Sequence, residues 1–314
     1  MTGEQATAAA DRWRLIRRRA ARAYLILLVL LVILVGVPTD RGSLLLIILA
    51  GLGVTCLGRG WRAFGRVLLD WLPFTFVLVV YDVSRGIARI IGLPLHERDI
   101  ADADKAMFDG TVPTVWLQNR LLDPGSPHWY DALATLIYTT HFLATPIVAA
   151  LLWLRNRAIW ISFIVRVVAL SVAGLITYVL FPAAPPWYAA RDGVIPPAIR
   201  ASARGWTWLH LNHAGNLLSE GQLAANAVAA MPSLHTAFAT LIALFVVRHL
   251  SSRWRWIALG YPPLMGLALV YLGEHYVVDV LAGVAYAVAT DLGVSAWERR
   301  HRAKRPISTD VATK

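Results

Sequence analysis

Apolar residues gather into eight runs along the chain, at 24–37, 44–57, 67–83, 130–154, 158–180, 234–247, 256–272 and 277–296, with polar or turn-forming segments between them. A bilayer core of about 30 Å takes roughly 20 helical residues, so the longer runs reach across as they stand. The 14-residue runs need flanking Ala, Gly, Ser or snorkelling Arg to complete a span. The pattern predicts an all-α, polytopic membrane helical bundle with about eight transmembrane helices. Two long segments remain between spans, 84–129 and 181–233. Loops of that length usually carry function or short helices of their own. The second holds Trp206 and Trp208, side chains suited to the headgroup level, and is expected to lie along the interface.

Composition agrees with a membrane protein. Of 314 residues 57% are hydrophobic and only 16% charged, against roughly 25% charged in a soluble domain. Cys56 is the only cysteine, which excludes an intrachain disulfide framework. The net charge of +11 raises nucleic acid as a partner until the basic residues are placed. Segments 1–23, 58–66, 155–157, 248–255 and 297–314 hold 20 Lys and Arg in 61 residues, and the alternate loops hold 9 in 109. Cytoplasmic loops are the ones enriched in Lys and Arg, so both termini are assigned to the cytoplasm. The basic patches then read as topology signals and lipid-surface contacts, with no nucleic-acid partner. Residues 12–37 look like a secretory leader, but no small-residue cleavage site follows at Val37–Arg41 and seven more spans do, so an uncleaved anchor is expected. Arg166, inside a span, is expected to snorkel toward the cytoplasm.

Candidate chemistry lies where outer loops enter spans. Six of the nine histidines, His96, His128, His210, His213, His249 and His301, fall in loops or tails and read as solvated or interfacial. Residues 231–236 read Met-Pro-Ser-Leu-His-Thr, with Pro232 suited to a first helical turn and Ser233 to capping, which puts His235 at a helix N-terminus. Unpaired N–H groups and the helix dipole make such a place an anion site, phosphate above all. Residues 273–279 read Gly-Glu-His-Tyr-Val-Val-Asp, so His275 and Asp279 are expected one turn apart on one helical face. The carboxylate would accept the imidazole N–H, fix its tautomer and raise its basicity, as a nucleophilic or general-base histidine requires. Both spans run from outside to inside, which places His235 and His275 at one membrane depth. His141, inside the span 130–154, either points into this site or pairs within the bundle.

Met-Pro-Ser-Leu-His-Thr-Ala at 231–237 and His-Tyr-Val-Val-Asp at 275–279, preceded by Phe-Pro-Ala-Ala-Pro-Pro-Trp-Tyr at 181–188, resemble the type 2 phosphatidic acid phosphatase superfamily. The Pro-Pro-Trp element and Pro-Ser-Leu-His in place of Pro-Ser-Gly-His resemble the inositol phosphorylceramide synthase branch. The resemblance covers roughly residues 67–295. It implies a six-helix lipid phosphatase or phosphotransferase core (67–296) and leaves outside it the basic N-terminus (1–23), an additional hairpin (24–66) and the basic tail (297–314). It further implies metal-independent transfer from a lipid, with no cofactor: His275 attacks phosphorus, Asp279 orients it and His235 protonates the leaving group. Trp187 and Tyr188 are expected as headgroup walls, with Tyr276 beside the nucleophile. Ordinary members carry a Lys, six residues and Arg-Pro to bind phosphate; the only Arg-Pro here is Arg305-Pro306 in the tail, without the Lys. The candidate replacement is Tyr81-Asp82-Val83-Ser84-Arg85, where the Arg85 fork would bind phosphate oxygens, with Arg89 next. A second lipid or sugar hydroxyl, or water, would complete the reaction.

Two other classes fit the span pattern. A non-catalytic lipid transporter would need polar residues in the bundle but no His275–Asp279 pair. A polyprenol-linked glycosyltransferase would use acidic residues such as Asp99, Asp102, Asp104 and Asp109, a run that reads more simply as a solvated helix face.

Overall fold

The computed structural model describes residues 3–34, 41–223 and 226–303. Every named element among them is a helix. In chain order these are α1 (Gly3–Leu34), α2 (Arg41–Thr55), α3 (Trp61–Ile91), α4 (Arg98–Met107), α5 (Pro113–Leu121), α6 (Trp129–Arg155), α7 (Arg157–Leu180), α8 (Pro186–Arg191), α9 (Arg204–Trp208), α10 (Asn212–Leu223), α11 (Leu234–His249), α12 (Tyr261–Tyr271) and α13 (Val277–Ala303). Helices α6, α7 and α13 are each long and apolar enough to cross a membrane, while α2 and α11 contain shorter apolar helices. The protein is an all-α membrane bundle, with short helices filling both long loops.

The local sequence explains the breaks. Between α6 and α7 a single residue, Asn156, ends one helix and caps the next, its side-chain oxygen accepting from the N–H groups of Ala158 (3.0 Å) and Ile159 (3.2 Å). The seventh apolar run is not one α-helix: a 3-10 helix over Arg253–Gly260 precedes α12. Pro262 and Pro263 explain the change, because a residue without N–H is tolerated in a first turn and disrupts an interior. The basic segment expected to precede the first span is itself helical and continuous with it in α1.

Three apolar clusters hold the bundle. Val67 and Trp71 of α3, Phe163 and Leu170 of α7, and Leu241 and Phe245 of α11 form the first. Tyr138 of α6, Trp206 of α9, and Met265 and Leu269 of α12 belong to the second. The third lies among the loop helices, where Ile100, Val115, Ala189 and Tyr276 meet.

Arg166 does not snorkel. It is 1% exposed, with Nε on Asp291 Oδ1 (2.9 Å) and its terminal nitrogens on both Glu298 oxygens (3.0 and 3.1 Å). Arg248 shares Asp291 at 2.8 and 2.5 Å. Carboxylates one or two turns apart on α13 satisfy the charge where it sits, so the side chain has no need to reach water. The cluster fastens α7, α11 and α13 together at the end of the bundle away from the starts of α11 and α13.

Candidate active site

The two histidine-bearing entries are built against each other. Ser233 caps α11, its hydroxyl accepting from the Thr236 N–H, and its own N–H donates to the Asp279 carbonyl (3.0 Å). Pro232 sits ahead of the cap rather than in the first turn, and its carbonyl accepts from the Tyr178 hydroxyl (2.8 Å). At Gly283 of α13 an added Cβ would lie 2.3 Å from the Ser233 carbonyl, so the close approach of the two helices requires glycine.

His275 is not on the helical face expected for it, because α13 starts only at Val277. The preceding turn is fixed differently. The N–H groups of Val277 and Val278 donate to Asp104 of α4 at 3.0 and 2.9 Å, and the Tyr276 N–H donates to Asp279 Oδ2 at 2.9 Å. Asp104 is fully buried and is therefore no part of a solvated face; it caps the start of α13, occupying that helix's own anion site. Burial, with the nearby Asp279 charge adding to it, pushes the Asp104 carboxyl up to about 6 despite its two N–H donors.

The turn carries His275 to His235. His235 Nδ1 and His275 Nε2 are 3.2 Å apart, and on the other side of the ring His275 Nδ1 is 3.6 Å from Asp279 Oδ2. The second distance is slightly too long for a hydrogen bond, and among the described residues neither His275 Nδ1 nor Asp279 Oδ1, both buried, has a hydrogen-bond partner. His141 of α6 reaches the same place, its ring centroid 4.0 Å from that of His235, and Tyr138, one turn earlier, stacks on His235 at 5.1 Å.

The other expected residues are distributed around this centre. Trp187, at the start of α8, donates its backbone N–H to the Gly273 carbonyl (3.2 Å), two residues before His275. Its buried Nε1 has no hydrogen-bond partner among the described residues. Tyr188 lies beneath the Arg191 guanidinium at 3.9 Å. The segment ahead of them is pinned at Ala183, which donates to the Val228 carbonyl and accepts from the Ala230 N–H. Tyr276 is wholly buried in the third cluster. The backbone of Tyr81, Asp82, Arg85 and Arg89 belongs to α3, but their side chains lie outside the described residues.

A second polar group adjoins the histidines that sequence reasoning passed over. Glu274, 6% exposed, pairs in bidentate fashion with Arg200, Nε to Oε1 at 2.9 Å and Nη2 to Oε2 at 3.0 Å. Gln222 of α10 donates to Glu274 Oε1 (3.1 Å), the Tyr138 hydroxyl (3.1 Å) and Ser202 Oγ (2.7 Å). One signal was visible in the chain: an acid inside the apolar stretch Val270–Val278 needs a cation. Nothing in the spacing indicated which one.

The family model described as the PAP2 superfamily matches residues 108–292, which include both histidines, Asp279, Arg200 and Glu274. A phosphoinositol dihydroceramide synthase of Bacteroides thetaiotaomicron is 26% identical over 244 residues, covering 71% of this chain and 75% of that protein. The inositol phosphorylceramide synthase catalytic subunit aur1 of Schizosaccharomyces pombe is 31% identical over 122 residues, 38% of this chain and 29% of the relative. No solved structure matches. With more than half of its length matched by the family model, and with that match spanning the histidine site, the chain belongs to the PAP2 superfamily.

Proposed function

We propose that the protein is a membrane lipid phosphotransferase that works through a phosphohistidine at His275, moving a phosphoryl or phosphodiester group, phosphoinositol foremost, from a phospholipid to an alcohol. The observation that carries this reading is the 3.2 Å contact of His275 Nε2 with His235 Nδ1, backed by Asp279 behind the His275 ring. Asp279 favours the tautomer with its proton on His275 Nδ1, so Nε2 presents a lone pair. The hydrogen bond between the rings then has His235 Nδ1 as its donor. The two atoms that meet are thus a nucleophile and a proton donor.

Phosphorus enters between them and replaces their hydrogen bond. His275 Nε2 bonds to phosphorus, the bond to the departing lipid oxygen breaks, and the His235 proton passes to that oxygen. In the second step the acceptor hydroxyl gives its proton to His235 while its oxygen displaces Nε2. The N-terminus of α11, capped by Ser233, and Arg85 beside Tyr81 and Asp82 on α3 stabilise charge on the equatorial oxygens. His141 covers His235, and Trp187, Tyr188 and Tyr276 shape the headgroup side. No metal or cofactor takes part. Water in place of the alcohol would make the enzyme a lipid phosphate hydrolase.

The distribution of Lys and Arg supports a site on the extracytoplasmic face of the cell membrane, both termini cytoplasmic, in a core of residues 67–296 preceded by a hairpin at 24–66. The relatives' names support a phosphoinositol donor and a ceramide-type lipid alcohol as acceptor. The test is turnover of a phospholipid panel by purified protein in EDTA, with and without lipid alcohols, read by mass spectrometry. A transferred headgroup that appears only with the alcohol is expected. Absence of turnover on every phospholipid would contradict the reading.

A further inference from the structure

We propose that Arg200 is a second cation, in addition to Arg85, that grips the phosphate oxygens during transfer, and that Glu274 is the positioning residue that aims it. The inference rests on the phosphotransfer reading above and assigns it a residue outside the segments that carry the family resemblance. A transferring phosphoryl group spreads negative charge over its equatorial oxygens and needs a fixed cation there. This chain lacks the family's Lys and Arg-Pro element at the corresponding place.

Arg200 is held as a functional side chain must be. The residue before it, Ile199, is clamped by one side chain, its N–H donating to Gln118 Oε1 (2.9 Å) and its carbonyl accepting from Gln118 Nε2 (2.9 Å). The residue after it, Ala201, donates its N–H to the Leu272 carbonyl (2.9 Å). The segment lies flat on the turn that leads to His275: at Gly273, whose φ is +77°, an added Cβ would stand 2.5 Å from the Ile199 carbonyl. The guanidinium rests 5.0 Å over the Trp187 ring.

The contacts close into a circuit at the reacting pair. Arg200 meets Glu274, Glu274 accepts from Gln222, Gln222 donates to Tyr138, and Tyr138 stacks on His235. Glu274 is covalently next to His275. The pair is also asymmetric. Glu274 is 6% exposed and Arg200 27%, so the cation is the member that an entering anion meets. Two of a guanidinium's five donors engage Glu274, an arrangement that fixes the plane of the fork.

A salt bridge that only holds the loop makes a different prediction, and neutralising both partners separates the two. Arg200→Gln is expected to lower kcat about a hundredfold and to weaken inhibition by inorganic phosphate at least about tenfold, the loss of a bidentate charged contact. Arg200→Gln with Glu274→Gln removes the buried charge as well as its partner. It is expected to melt near the wild type in detergent yet remain as inactive as Arg200→Gln alone. Recovery of activity in that double variant would reduce the pair to a structural one and overturn the assignment. Arg200→Lys, which keeps a charge for Glu274 and loses the fork, guards against misfolding: it is expected to lose kcat and phosphate inhibition together, and wild-type values of both would also overturn it. Arg85→Lys run in parallel measures the contribution of α3. His275→Ala keeps the two ideas apart, since activity there defeats phosphotransfer itself, whereas a dead His275→Ala beside an active Arg200→Gln defeats only the role of Arg200.

Discussion

At the scale of single residues the account gives the two histidines different work. His275→Ala removes the atom that bonds to phosphorus and is expected to abolish turnover on every substrate. His235→Ala removes only the proton donor, so on an ester with a good leaving group, such as a nitrophenyl phosphate, its first step should recover far more than on an alkyl lipid ester. Equal losses on both substrates would take the acid role from His235. Asp279→Asn should fall between the two, because a neutral amide weakens the hold on His275 Nδ1 without removing the ring. Asp104 predicts a pH effect on stability. Its carboxyl ordinarily titrates near 3.8 and is raised to about 6 in the fold, so between those values the folded protein holds a proton that the unfolded chain has released. Stability from this group is therefore fully present below about pH 4 and lost as pH rises through 6, by at most about 3 kcal/mol. Thermal unfolding in detergent from pH 4.5 to 7 should show this slope in the wild type and a flatter one in Asp104→Asn; identical slopes would refute it.

At the scale of elements, the ion cluster at the far end of the bundle carries weight that surface pairs do not. Asp291→Ala takes from the buried Arg166 one of its two carboxylates, leaving Glu298, and from the part-exposed Arg248 its partner, and is expected to cost about 1.5 to 3 kcal/mol, the range for hydrogen bonds to charged groups. Breaking the Arg14–Asp11 pair, 70% exposed on both sides, should leave the melting temperature unchanged. The comparison also shows what the chain makes legible. Helix positions were readable because a spanning helix must bury or face lipid with nearly every residue, which leaves an apolar run with no other explanation. Arg166 was misread because its partners stand 125 and 132 residues away, and hydropathy carries no information on which helices touch. The proximity of His235 and His275 was readable because topology alone sets depth. Arg200 and Asp104 were not, since their roles depend on how two loops fold over the helix entries, and loop packing leaves no period in the sequence.

For the whole molecule, orientation decides which leaflet the site serves. Cysteine at Ser126, exposed in the loop before α6, should react with an impermeant thiol reagent on intact cells, and cysteine at Ser251, exposed after α11, should not. The native Cys56 is buried and adds little background. Labelling at position 251 alone would turn the molecule over and move the histidines to the cytoplasmic side. Whichever leaflet that proves to be, the central claim is that the phosphorus is carried for a time on His275. A single-turnover reaction with a phospholipid donor and no acceptor, quenched in alkali and digested, reads this directly by mass spectrometry. The account predicts a phospho-adduct on the peptide containing His275 that is lost in acid, discharged when an alcohol is added, and missing from His275→Ala. Turnover without any adduct, or an adduct that survives in His275→Ala, would contradict it.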